Sequence, residues 1–285
     1  RISLPATMAG KATRMTLDTG AYWSAIRRDL AVALNLEIKT NYNINLRDAS
    51  GQVMKETTTV PEAKIGPLNF GAAEFFLSGS SQLPIEEDGG LFGQNLMTQI
   101  DLEVNSAAQT VSFYAQDHCP GEGVHWADEA VVLRYDRQNK NATKNAIRIR
   151  RGIDKNQIDP PIVTAEVNGN PISILFDTGA TFSVLDADLA KRRFNIDANS
   201  PGAKPAGTVY VAGGAGIETF EYSLPSLSIS GIQFENVPVL IGKFGDSSQM
   251  ILGMNEMKKL HIFFPFKEGA IYVTAANAGR APTQK

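Results

Sequence analysis

The chain predicts an all-β protein built from two homologous lobes, on three observations. One segment occurs twice, most apolar runs are short and alternate with polar residues, and Gly, Asn and Pro interrupt them at short intervals. The tetrapeptide Asp18-Thr19-Gly20-Ala21 returns as Asp177-Thr178-Gly179-Ala180, each copy following an apolar run, Met15-Thr16-Leu17 and Ile174-Leu175-Phe176. Gly10 and Gly169 precede the two aspartates by the same distance. Ser24, Asp29, Leu30 and Ala31 recur as Ser183, Asp188, Leu189 and Ala190 in an unshifted register. Farther on, 91–97 (LFGQNLM) stands opposite 251–257 (ILGMNEM), one residue out of that register, and 65–70 and 229–234 both read as strand, turn, strand. A lone Asp-Thr-Gly is weak evidence because such tripeptides are commonly turns. Two copies in matching context mark a duplicated module.

The elements follow in chain order. Alternation over 12–17 and 171–176 predicts strands with one buried face. Residues 27–34 and 187–193 are free of Gly and Pro and carry Ala, Leu, Arg and Asp, which predicts one helix in each repeat. Two further short helices are expected to begin near Asn95 and Asn255. The division is a first lobe over 1–116, a connector over 117–158, and a second lobe with its tail over 159–285. Within the connector, 130–135 and 147–150 are strand-like and flank a polar 138–144 turn, which reads as a hairpin. That hairpin is either a pair of strands added beneath the lobes or a surface excursion.

Composition narrows the function classes. A length of 285 residues, 43% of them apolar, is enough for two cores. A net charge of −3 provides no basic surface for a phosphate backbone, which argues against a nucleic-acid partner. The single cysteine, Cys119, excludes an intramolecular disulfide framework. No apolar run approaches the ~20 residues that span a bilayer, so no membrane insertion is expected. The chain opens on Arg1 almost directly into a strand, as it would after removal of an export signal, so a periplasmic or secreted location is the expectation.

An Asp-Thr-Gly-Ala at a strand end, followed some distance later by two apolar residues and a glycine, resembles the aspartic proteases. The stretch 91–100 (LFGQNLMTQI) is similar to the retroviral branch, as is the alanine after each Asp-Thr-Gly. Two such modules in one chain resemble a fused, pepsin-like pseudo-dimer with a bilobal acid-protease fold. The resemblance covers both repeats and leaves the connector unmatched. It implies an aspartic endopeptidase that takes a polypeptide in extended conformation, with no cofactor and no metal, active as a monomer. Two alternatives stay open: a catalytically silent peptide-binding protein, and a protease active only as a two-chain dimer.

The chemistry suits these residues. Hydrolysis without metal or covalent intermediate needs a base to activate water and an acid to protonate the oxyanion or amine, and two carboxylates sharing one proton supply both. One module carries one aspartate, so Asp18 and Asp177 must meet across a pseudo-twofold axis. Gly20 and Gly179 leave room where the backbone turns sharply, and the resemblance assigns Thr19 and Thr178 a grip across the lobes. Gly93 and Gly253 let a strand pass close behind each aspartate loop. Ser24 and Ser183 either support the carboxylates or cap loops.

Flaps over the cleft are expected at Asp48, Ala49, Ser50 and Gly51 and at Ala212, Gly213 and Gly214. Trp23 and Phe182, five positions after the aspartates, are pocket walls or core. His118, Cys119 and His125 lack zinc spacing. The 213–216 glycines lack the lysine of a phosphate loop. The sequon at Asn141 matters only in a eukaryotic secretory setting.

Overall fold

The computed structural model describes residues 1–41, 46–47, 53–79, 83–116, 123–135, 160–210, 216–244 and 250–278. The first repeat runs β1 (Ile2–Met8), β2 (Lys11–Leu17), β3 (Ala25–Arg27), α1 (Arg28–Ala33), β4 (Ile38–Thr40), β5 (Leu46–Arg47), β6 (Val53–Met54), β7 (Glu56–Ile65), β8 (Leu68–Ser78), β9 (Gly90–Phe92) and α2 (Gln94–Met97). After it come β10 (Asp101–Asn105), β11 (Thr110–Tyr114) and β12 (Val131–Arg134). The second repeat runs β13 (Ile162–Val167), β14 (Asn170–Phe176), β15 (Ser183–Asp186), α3 (Ala187–Phe194), β16 (Lys204–Tyr210), β17 (Gly216–Ile229), β18 (Ile232–Gly242), β19 (Met250–Leu252) and α4 (Met254–Met257). It is followed by β20 (Leu260–Phe264) and β21 (Ala270–Ala275).

Each repeat closes into a barrel of the same order. In the first, β1-β2-β9-β3-β8-β7 returns from β7 to β1, with β4 added outside on β7; in the second, β13-β14-β19-β15-β18-β17 returns to β13, with β16 added on β17. The closing contacts are short, Ala6–Met8 on Ala63–Ile65 in the first barrel and Glu166 and Val167 on Ser228 and Leu227 in the second. In both, the strand that ends at the aspartate lies parallel to the short strand of the second sequence match, β2 to β9 and β14 to β19. Turn chemistry repeats as well. The β1–β2 turn holds Ala9 and Gly10 at φ 47° and 83°, and the β13–β14 turn holds Asn168 and Gly169 at 50° and 76°. This paired positive φ matches the right-handed twist of a two-residue hairpin.

The expected helices occur. The sturdiest is α3, where Asp186 accepts from the Asp188 and Leu189 N–H groups and Lys191, Arg192 and Arg193 fill the last turn, each charge suited to its end of the helix dipole. α1 has no side-chain cap, because Arg27 stands where Asp186 stands in the other repeat.

The lobes share a third sheet, β11-β10-β20-β21-β12, whose seam is the antiparallel pair β10–β20. Of the connector, 131–134 form a strand there, pairing with β21, while the second half of the expected hairpin lies outside the described residues. One face of this sheet (Leu102, Val104, Ile262, Phe264, Ile271, Val273) joins an apolar core continuous with both barrels. Val124, Ala127 and, partly buried, Trp126 pack on Ala270, Tyr272 and Phe263 against the opposite face. The connector therefore both extends and covers the sheet that joins the lobes.

Candidate active site

Asp18 and Asp177 lie just past the ends of β2 and β14, at the point where the two barrels touch. Their backbone N–H groups donate to Phe92 O (3.0 Å) and Leu252 O (3.1 Å), so each aspartate loop hangs on the short strand brought beside it by the repeat's second match. The threonines lock the loops together. Thr19 N–H donates to Thr178 Oγ1 and Thr178 N–H donates to Thr19 Oγ1, both at 3.1 Å. Their hydroxyls donate onward to Phe176 O (2.7 Å) and Leu17 O (2.8 Å) of the opposite lobe. All four bonds cross between lobes, and both threonines are fully buried, so none of them competes with water.

The glycines bring each loop against the other's carboxyl. A Cβ at Gly20 would lie 2.6 Å from Asp177 Cγ, and one at Gly179 would lie 2.5 Å from Asp18 Cγ. Neither glycine has positive φ, so the requirement here is space and not backbone conformation. The two carboxyls therefore face each other across the lobe junction and interact electrostatically. Burial, then the charge of Asp177, then the bond to it hold Asp18 well above the usual carboxylate range. Asp177 is also raised, by burial, against the pull of its hydrogen-bond donors. Among these, Gly179 N–H (2.8 Å) and Ala180 N–H (3.2 Å) both donate to its Oδ1, while Ala21 N–H (2.8 Å) donates to Asp18 Oδ1. Two carboxyls in this arrangement hold one proton between them over a wide pH range.

The serines do other work than supporting the carboxylates. Ser24 donates to Asn95 Oδ1 (2.8 Å) and accepts from Gly93 N–H (2.9 Å), and Ser183 does the same with Asn255 (2.9 Å) and Gly253 (3.1 Å). The Ser24 and Ser183 N–H groups also donate to those asparagines, at 2.7 Å each. These bonds tie the loops: each buried hydroxyl gives its one proton to the asparagine and accepts the glycine N–H. The close passage expected of Gly93 and Gly253 is present: a Cβ there would lie 2.6 Å from the Trp23 carbonyl carbon and 2.4 Å from that of Phe182.

Asn95 and Asn255, which hold these loops, are not among the expected site residues, although their equal place after the two glycines is a usable signal. Gln94, fully buried, adds a bond from its amide to Thr19 O (2.6 Å) that Met254 cannot make in the other repeat. Trp23 packs edge-on to Phe76, ring centroids 5.9 Å apart, beside Ala25. Its counterpart Phe182 is 53% exposed, so the two equivalent positions are not used alike.

The flap positions Asp48, Ala49, Ser50, Gly51, Ala212, Gly213 and Gly214 lie outside the described residues, as do His118, Cys119 and Asn141. What is described are the strand pairs that flank the expected flap positions, β5 on β6 and β16 on β17, the latter ending at Tyr210 opposite Gly216. Among the described residues no cluster of three or more His, Cys, Asp or Glu is arranged to hold a metal ion, and no helix is long and apolar enough to cross a membrane.

Comparison with known proteins finds a family in each half. Residues 4–99 match the family described as "gag-polyprotein putative aspartyl protease" and residues 163–255 the family described as "Aspartyl protease". No curated protein sequence matches the chain. Among solved structures, the chain is similar to a retropepsin-like aspartic protease from Rickettsia conorii, with 19% identity over 51% of this chain and 98% of that one and a TM-score of 0.35. It is also similar to the EIAV protease complexed with the inhibitor HBY-793, with 22% identity over 37% and 92% and a TM-score of 0.29. An aspartyl protease family match thus falls on each of two closed barrels, so the chain is similar to the aspartyl proteases in both halves, as a duplicated, two-lobed protein.

Proposed function

We propose that the protein is an aspartic endopeptidase whose single chain supplies both halves of the site, with Asp18 and Asp177 as the catalytic pair. The observation that supports this reading is the placement of the two carboxyls, one from each lobe, against each other in a buried frame held by the threonine bonds.

The pair activates a water held between its oxygens. Asp177, with two backbone N–H donors on one oxygen, is the better carrier of the negative charge and takes a proton from the water. The oxygen attacks the peptide carbonyl carbon as Asp18 passes its proton to the carbonyl oxygen, giving a neutral gem-diol. Collapse breaks the C–N bond. The proton held on Asp177 goes to the leaving amine and a diol proton returns to the pair, leaving a carboxylic acid, an amine and the singly protonated dyad. A polypeptide bound in extended conformation presents its carbonyls to such a site and gains backbone hydrogen bonds from flap hairpins.

The test is replacement of either aspartate by asparagine, which keeps shape but removes the shared proton. Each single variant should lose at least ~10²- to 10⁴-fold in turnover, and the double variant little more, because the two act as one unit. Statine-type mimics should inhibit and chelators should not. Wild-type turnover in either variant sinks the assignment. Peptide binding without any cleavage by the wild type would favour a silent binding protein.

A further inference from the structure

A second titratable cluster sits in the sheet that joins the lobes. Glu103 on β10 and His261 on β20 are 5% and 2% exposed, and His261 Nε2 lies 2.8 Å from Glu103 Oε1, so this buried pair crosses the seam. Its surroundings hold it in place. Tyr114 on β11 donates to Glu103 Oε2 (2.5 Å), and burial together with this bond pushes the Tyr114 phenol up. His125 of the connector has its Nε2 3.7 Å from the same oxygen. Trp126 stacks flat on the His261 ring, centroids 3.6 Å apart at 13°, and is anchored by its own N–H to Thr274 Oγ1 (3.0 Å). The remaining titratable groups along this face are Asp101, which accepts from Gln116 (3.3 Å), and Tyr272, which donates to Glu268 (2.8 Å) and lies under the influence of Arg134.

Chain connectivity leads from this pair to the catalytic centre. Phe92 O accepts the Asp18 N–H, and the chain continues from Phe92 through α2 into β10 and Glu103. Leu252 O accepts the Asp177 N–H, and the chain continues through α4 into β20 and His261. Each aspartate loop therefore hangs on a segment whose next strand carries one member of the seam pair. We propose that Glu103 and His261 are positioning residues for the Asp18–Asp177 pair. They form an inter-lobe latch that sets the spacing of the two loops. This rests on the endopeptidase reading for its catalytic consequence, though not for the latch itself.

The experiment compares the whole chain with Glu103→Gln, His261→Gln, the double variant and the peripheral His125→Gln, reading peptide turnover and thermal unfolding from about pH 3 to 9. Expected are an about tenfold fall in kcat with little change in KM for either single variant, no further fall in the double variant, and wild-type kcat in His125→Gln. Both single variants should lower Tm, and the losses should not add in the double variant, because the two residues act as one latch. Additive Tm losses overturn the latch. Unchanged kcat and pH profile in both single variants overturn the positioning role. An inactive wild type sinks the endopeptidase reading and the positioning role with it, while the additivity of the Tm losses still decides whether the latch exists.

Discussion

Asp18 holds its proton more tightly in the folded protein than in the unfolded chain, and this has a thermodynamic sign. Its carboxyl is raised from an ordinary 3.8, so as pH climbs from there the unfolded state gives up its proton first and the native state binds more protons. Stability therefore falls across that interval and stays reduced above it. Asp18→Asn, which cannot ionise, should unfold at a higher temperature than the wild type at neutral pH, with the gain vanishing below about pH 4. Calorimetry at the two pH values checks this; an equal gain at both would mean that charge is not the cause. Gly20→Ala tests the other residue-scale requirement. Its new Cβ must displace the Asp177 carboxyl, so turnover should fall about 10²-fold with the fold intact. Gly10→Ala, at φ 83° with open space around it, should instead cost about 1 kcal/mol of stability and leave turnover unchanged.

Among the elements, the short strand and helix after it decide where an aspartate loop sits. Ser24 and Asn95 tie β9 and α2 to the loop carrying Asp18, as Ser183 and Asn255 do in the second repeat. Ser24→Ala leaves the Gly93 N–H buried without its acceptor, so chemical denaturation should show a loss of about 1–3 kcal/mol. The pH profile of turnover should not shift, because the hydroxyl touches neither carboxyl; a shifted profile would restore its support role. Asp186 and Arg27 show how far equivalent elements have diverged. The aspartate caps α3, whereas the arginine pairs with Asp29 and donates to Leu83 O and Asp88 O, pinning the loop before β9. Nothing in the alternation of apolar residues distinguishes these two uses of one position.

For the molecule as a whole, the two barrels, the threonine grip and the shared sheet come from one chain, so one chain should suffice for activity. Turnover per chain is expected to stay constant on dilution while light scattering reports a monomer. Activity that falls in step with a dissociating dimer would show that lobes pair between chains. The shared sheet also accounts for part of the connector, through β12 on β21 and through the cover of Val124, Trp126 and Ala127.

The sequence by itself determined the duplication, the all-β class, the places of the helices and the two aspartates, because these are local or repeated signals: strand alternation, turn glycines, and one motif written twice. It also carried the glycines of close approach, since a missing side chain is visible in the letters. Only the tertiary structure decided what the serines bond, that Asn95 and Asn255 complete the loops, that Trp23 is packed while Phe182 is exposed, and that Glu103 meets His261 across the seam. These depend on partners brought together by barrel closure and by the β10–β20 pairing, from segments far apart in the chain. A polar residue's bonding partner is set by that three-dimensional register, and no periodicity along one strand encodes it.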